Sequence, residues 1–273
     1  MITKTLSQGA LSVIDQYLHF KVGSATASVP YFYNKTTRNR AALRTNIGKG
    51  SPREIFEEIQ PILFKSHIDE GMLTDDMLKK ILVDANLGID CSALAYYVLN
   101  AEIEKDGADR LEKHISFVNC TGFLGKMRCS LRPIENCDVS TLAHNKNSKA
   151  IDLISARPGD IITMLGNRDD DERDHILIIR EVAYADETFV PTSILYTHAM
   201  AYPEDGIYGS GIRQGKIEIA DISKPLTDAL WSESGAIEKA SRIFARAQRS
   251  KTEVRRLNYY SETPSRPRPA AID

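Results

Sequence analysis

Long apolar runs are missing from this chain of 273 residues. The longest compact one, Ile176-Leu177-Ile178-Ile179, is strand-sized, so no segment is read as spanning a bilayer. A charge excess is missing too, with 35 Lys and Arg against 37 Asp and Glu. Dedicated nucleic-acid binders usually carry a basic surplus, so that class of partner is set aside. Low net charge with 42% hydrophobic residues excludes disorder throughout. Cysteine is scarce, four in all, too few for a disulfide scaffold at this length. Cys120, Cys129 and Cys137 lack the close Cys-x-x-Cys pair of structural zinc sites; they read as buried or incidental thiols, and no metal is expected. No internal repeat is found. The first residues, Met1-Ile2-Thr3-Lys4-Thr5-Leu6-Ser7, lack the basic segment, apolar core and cleavage site of an export signal. That predicts a cytoplasmic protein as the sequence stands, or a secreted one if a leader has been removed.

What is present begins with helical periods. Leu6, Ala10, Val13, Ile14, Tyr17 and Leu18 predict a helix over residues 5–22, ended by Gly23. A stretch without acids follows, carrying Tyr31, Tyr33, Arg38, Arg44 and Lys49. Ser51-Pro52-Arg53-Glu54 is a capping box with proline at the first helical position. Ile55, Phe56, Ile59 and Leu63 would form the buried stripe of that helix, and Pro61 would kink or end it. Thr74 with Asp75 and Asp76 opens a third helix. Gly88-Ile89-Asp90-Cys91-Ser92-Ala93-Leu94 reads as a turn feeding a fourth, with Cys91 in its first turn. Residues 100–147 are polar and read as an insertion with partial helix. Strands follow near Ile161, His175, Ser193 and Lys216, that of His175 being apolar on both faces. The end of the chain is basic and proline-rich, and residues 237–273 read as a partly disordered tail.

One constellation points to chemistry. A helix N-terminus places unpaired N–H groups and positive partial charge near a Cys91 sulfur, favouring the thiolate. His175 opens one candidate strand and His198 closes the next. If those strands pair antiparallel, the two imidazoles meet at one end of the sheet. One can then exchange a proton with Cys91 while the other orients it.

The blocks Gly88-Ile89-Asp90-Cys91-Ser92-Ala93-Leu94, Arg157-Pro158-Gly159-Asp160 and Asp174-His175-Ile176-Leu177-Ile178-Ile179 resemble the NlpC-type cell-wall peptidases, which are papain-like cysteine enzymes related to the CHAP amidases. The resemblance covers about half the chain, and Ala93 stands where the family usually has glycine. It implies an α+β, papain-like fold with the nucleophile helix packed on an antiparallel sheet and extra N-terminal helices. It also implies Cys91 as nucleophile, His175 as base and His198 as third residue, with no cofactor. The reaction it implies is hydrolysis of a peptide or isopeptide amide, above all in bacterial cell-wall peptides.

Around a core of residues 87–236, residues 1–86 are expected to form a helical arm and basic loop that help build the cleft. Ser92, Tyr31, Tyr33, Arg38 and Arg44 are candidates for the oxyanion and for substrate binding. The arginines suit an acidic peptide such as a peptidoglycan stem peptide, whose carboxylates they can hold bidentately. A transferase on the same scaffold and a non-catalytic binding module are the alternative functions. The oligomeric state is left open.

Overall fold

The structure is a computed structural model that describes residues 1–33, 43–166, 173–186, 188–202, 206, 208–234 and 242–262. In chain order its strands and α-helices are β1 (Ile2–Thr5), α1 (Gln8–Leu18), β2 (Phe20–Val22), β3 (Ala25–Ala27), α2 (Pro52–Lys65), α3 (Asp75–Asp84), α4 (Cys91–Glu104), α5 (Gly122–Leu131), α6 (Pro133–Asn136), α7 (Val139–Ala143), β4 (Ser148–Ala150), β5 (Ile161–Leu165), β6 (His175–Tyr184), β7 (Pro191–Met200), β8 (Gly211–Glu218), β9 (Leu230–Glu233), α8 (Arg242–Arg249), β10 (Lys251–Leu257) and α9 (Tyr259–Glu262). The fold is α+β. Among the described residues no helix is long and apolar enough to cross a membrane.

The main sheet runs β4-β10-β5-β6-β7-β8-β9, and every pairing in it is antiparallel. β5 and β1 lie end to end along one side of β6: Ile161 faces Ile178, and Ile2 faces Tyr184. Period-two alternation splits the apolar side chains of β6 between two cores. Ile176 and Ile178 pack with α1 to α4, whereas Leu177 and Ile179 pack with Tyr196, Trp231 and the α8 residues Ile243 and Ala247. The continuous apolar run of this strand thus reflects helices on both faces.

Several local expectations change in three dimensions. The helix predicted over residues 5–22 is shorter, because Ser7 caps it at Ala10 N–H and the flanking residues become β1 and β2. Gly23, with φ +57°, turns the β2–β3 hairpin instead of ending a helix. Helix α2 carries its capping box but passes through Pro61 to Lys65. The missing Pro61 N–H is offset by burial of Ile55, Ile59 and Leu63 on either side of it, while Phe56 turns outward. In residues 100–147, Cys120 and Cys129 are disulfide-bonded, not the incidental thiols expected; only Cys137 there is a free, buried thiol.

The largest change concerns the basic end of the chain. Residues 251–257, expected within a tail, form β10 between β4 and β5. Composition misleads here because the arginines are paired. Arg256 holds the buried Asp160 through Nε and Nη2, both at 2.8 Å, and Arg255 donates to Ser148 and Asn145. β1, from the other flank of residues 87–236, also joins this sheet.

Candidate active site

Helix α4 starts at Cys91 because Asp90 is extended and its carboxylate accepts the Ala93 N–H at 2.8 Å. Three chain segments cross beneath this start. Ile89 bridges to both Tyr31 and Lys49, and the Asp90 N–H donates to Gly48 O at 2.8 Å. The crossing requires glycine twice. A Cβ on Gly48, whose φ is +73°, would fall 2.2 Å from Phe32 O, and one on Gly88 would fall 2.6 Å from Pro30 O.

The crossing drives Lys49 into the protein, where it is 7% exposed. Its ammonium donates to Asp90 Oδ1 (3.1 Å), Ser92 Oγ (2.7 Å) and Cys137 O (3.0 Å), which uses its three hydrogens. Burial alone would lower the Lys49 pKa, but the Asp90 carboxylate reverses this and leaves it raised. The Ser92 hydroxyl donates to Asp90 Oδ1 at 2.9 Å. Ser92 therefore braces the helix start through its side chain. Its backbone N–H and that of Cys91 precede the first intrahelical donor and face no acceptor within the helix.

The opposite side is built from strand ends. His175 Nε2 lies 2.8 Å from His198 Nδ1, and His198 Nε2 lies 2.5 Å from Glu233 Oε1. The three residues come from β6, β7 and β9, and both imidazoles are buried. Tyr202 donates its hydroxyl to the same Glu233 oxygen at 3.0 Å, and the Arg213 guanidinium lies 3.3 Å from the Tyr202 ring centroid. Burial would raise the Glu233 carboxyl, but hydrogen bonds from His198 and Tyr202 and the charge of Arg213 hold it below the usual range. An ionised Glu233 accepts only, so His198 presents Nε2–H to it. With a neutral His198, His175 donates from Nε2 and its Nδ1 lone pair is free of this chain of bonds.

Both sides meet in a cavity of about 710 Å3, lined by Cys91, Tyr31 and Tyr33 and, from the sheet, by His175. The Ile176 backbone N–H, one residue along from His175, acts to lower the Cys91 thiol pKa. Burial and then Asp90 push the thiol up to about 12, against Lys49, that N–H and Arg246. Burial, His198 and Arg246 push His175 well below the usual histidine value. Both shifts favour a neutral thiol beside a neutral imidazole, whereas the helix tip had been expected to hold a thiolate.

The sequence-predicted residues divide accordingly. Cys91, His175, Tyr31, Tyr33 and Ser92 line the cavity, and His198 stands directly behind His175. Arg44 is not among the lining residues. It pairs with Glu54 and Glu135. Arg38 lies outside the described residues. The cationic wall comes from Arg173, Arg242 and Arg246, none of them singled out from sequence, two of them carried by the supposed tail. Glu233 was also missed, and nothing local marks it. Lys49 had been read with the basic loop. Comparison with protein families, with curated proteins and with solved structures finds no match for this chain.

Proposed function

We propose that this protein is a cysteine hydrolase of the papain-like, NlpC-type kind, cleaving a peptide or isopeptide amide through Cys91, His175 and His198. One observation carries the reading: a cysteine at a helix start and a histidine whose far nitrogen is engaged by a second histidine line the same cavity. The tautomer argument supports His175 Nδ1 as the base. In the proposed reaction the Cys91 proton passes to that nitrogen as the sulfur attacks the carbonyl carbon. The Cys91 backbone N–H, with the Tyr31 hydroxyl at the cavity wall, would stabilise the oxyanion. On collapse the proton moves to the leaving amine and a thioester remains. His175 then deprotonates water, which displaces the sulfur and releases the acid.

The substrate class proposed is an acidic peptide, above all a cell-wall stem peptide. Arg246 supports this, because its charge acts on Cys91, His175 and Tyr31 together. Three acids share the lining with it, and one of them is neutralised by an ion pair within the protein. Asp90 is paired with Lys49, Asp138 caps α7 through Thr141, and Asp174 accepts the Gly166 N–H. The test is incubation with defined γ-D-glutamyl-diaminoacyl peptides followed by mass spectrometry. Two fragments summing to substrate plus water are expected, and none with Cys91→Ala. An adduct with an added amine would assign a transferase instead, and tight peptide binding without turnover would assign a binding module.

A further inference from the structure

Helix α5 presents its apolar residues to solvent. Phe123 is 82% exposed, Leu124 72%, Met127 47% and Leu131 70%, while Cys129 of the same helix is buried and bonded to Cys120. At 3.6 residues per turn the four apolar side chains share an arc of about 100°, and Cys129 projects from the opposite side. The disulfide therefore fastens the helix by its back and aims the apolar arc away from the protein. Lys126 borders the arc on one side and Arg128 on the other, both exposed.

The charge on this helix is positive, with Glu112 and Glu135 just outside it and Glu135 paired with Arg132 and Arg44. From Lys113 to Ile134 the chain has four Lys or Arg and no Asp or Glu. A neighbouring cavity of about 530 Å3 is lined by Lys113, Lys126 and Lys146. Its one acid, Glu112, is engaged by the Tyr96 hydroxyl. A short helix with an apolar arc between cations is the pattern of segments that lie in the interface of an anionic bilayer. A second copy on this face would set like charges against each other, which disfavours self-association.

We infer that α5, pinned by the Cys120–Cys129 disulfide, docks the protein on an anionic lipid surface, with Phe123, Leu124, Met127 and Leu131 entering the headgroup region. The inference is independent of the proposed chemistry at Cys91. Flotation of the full chain with phosphatidylcholine vesicles, with and without about one-third phosphatidylglycerol, tests it. Binding is expected to the anionic vesicles and to weaken with salt. F123S/L124S is expected to weaken it at least about tenfold, since two apolar anchors are lost. K126E/R128E should erase the preference for anionic lipid. F123W should show blue-shifted emission on those vesicles only. These side chains are exposed, so an unchanged circular dichroism spectrum is expected of each variant. Absence of flotation, or flotation unaffected by F123S/L124S, would overturn the inference. So would a wild-type dimer that this double variant dissolves, because that assigns the face to a second copy.

Discussion

The two sides of the cavity solve the same problem by different means. At the start of α4 the buried polar groups are sequence neighbours, Asp90, Cys91 and Ser92, and a single distant cation, Lys49, neutralises them. At the sheet end each polar group comes from another strand, and the row ends in a carboxylate, Glu233. The helix side is thus held by local geometry plus one charge brought from afar. The sheet side exists only once three strands are in register. Under the hydrolase reading proposed above, loss of a partner should therefore cost mainly stability on the helix side and mainly catalysis on the sheet side.

Lys49→Met should give the largest effect. It leaves the Asp90 carboxylate buried without its partner, and a loss of about 3–5 kcal/mol in urea denaturation is expected. Adding Asp90→Asn keeps the cap and removes the charge, so the double variant should recover to within about 1 kcal/mol of the original. If the double variant stays as unstable as the single one, the helix side is not organised by this charge. Glu233→Gln sharpens the contrast. It keeps a hydrogen-bond acceptor but loses the charge that selects the His198 tautomer. A fall in kcat of about ten- to a hundredfold is expected with KM little changed, together with a stability loss of only about 1–2 kcal/mol. An equal loss in both measures would remove the distinction between the two sides.

The smallest effect is one of pH. A thiol pushed up to about 12 is less ionised at every neutral pH than a free cysteine. Alkylation of Cys91 by iodoacetamide should therefore be slower than that of a free thiol at pH 7 and should still be rising above pH 9. An early plateau on the acid side would instead show the thiolate–imidazolium pair that the helix tip alone suggested. Cys137, fully buried and likewise raised by burial, should remain unmodified throughout.

Much of the arrangement was legible along the chain. The capping box at Ser51, the caps at Thr74 and Asp90 and the four successive strands from Ile161 onward all depend on neighbours within a few residues, and all are present. The meeting of His175 with His198 followed from antiparallel pairing of consecutive strands, a topological rule that needs no side-chain detail. The failures share one cause. Lys49, Arg255 and Arg256 read as solvated charges because their partners lie 41, 107 and 96 residues away, at Asp90, Ser148 and Asp160. Ile2-Thr3-Lys4 read as no element, and Thr5 as the start of a helix, because their strand partner is the far half of β6.

Sequence alone determined where α2, α3 and α4 begin, which strand is apolar on both faces, and that one cysteine and two histidines stand at element ends. These are short-range matters of capping, periodicity and consecutive pairing. Only the tertiary structure decided that Glu233 completes the histidine row, that α8 brings Arg246 to the cavity, and that burial keeps the Cys91 thiol neutral. Burial and charge pairing depend on which distant segments meet, and no local pattern of residues encodes that meeting.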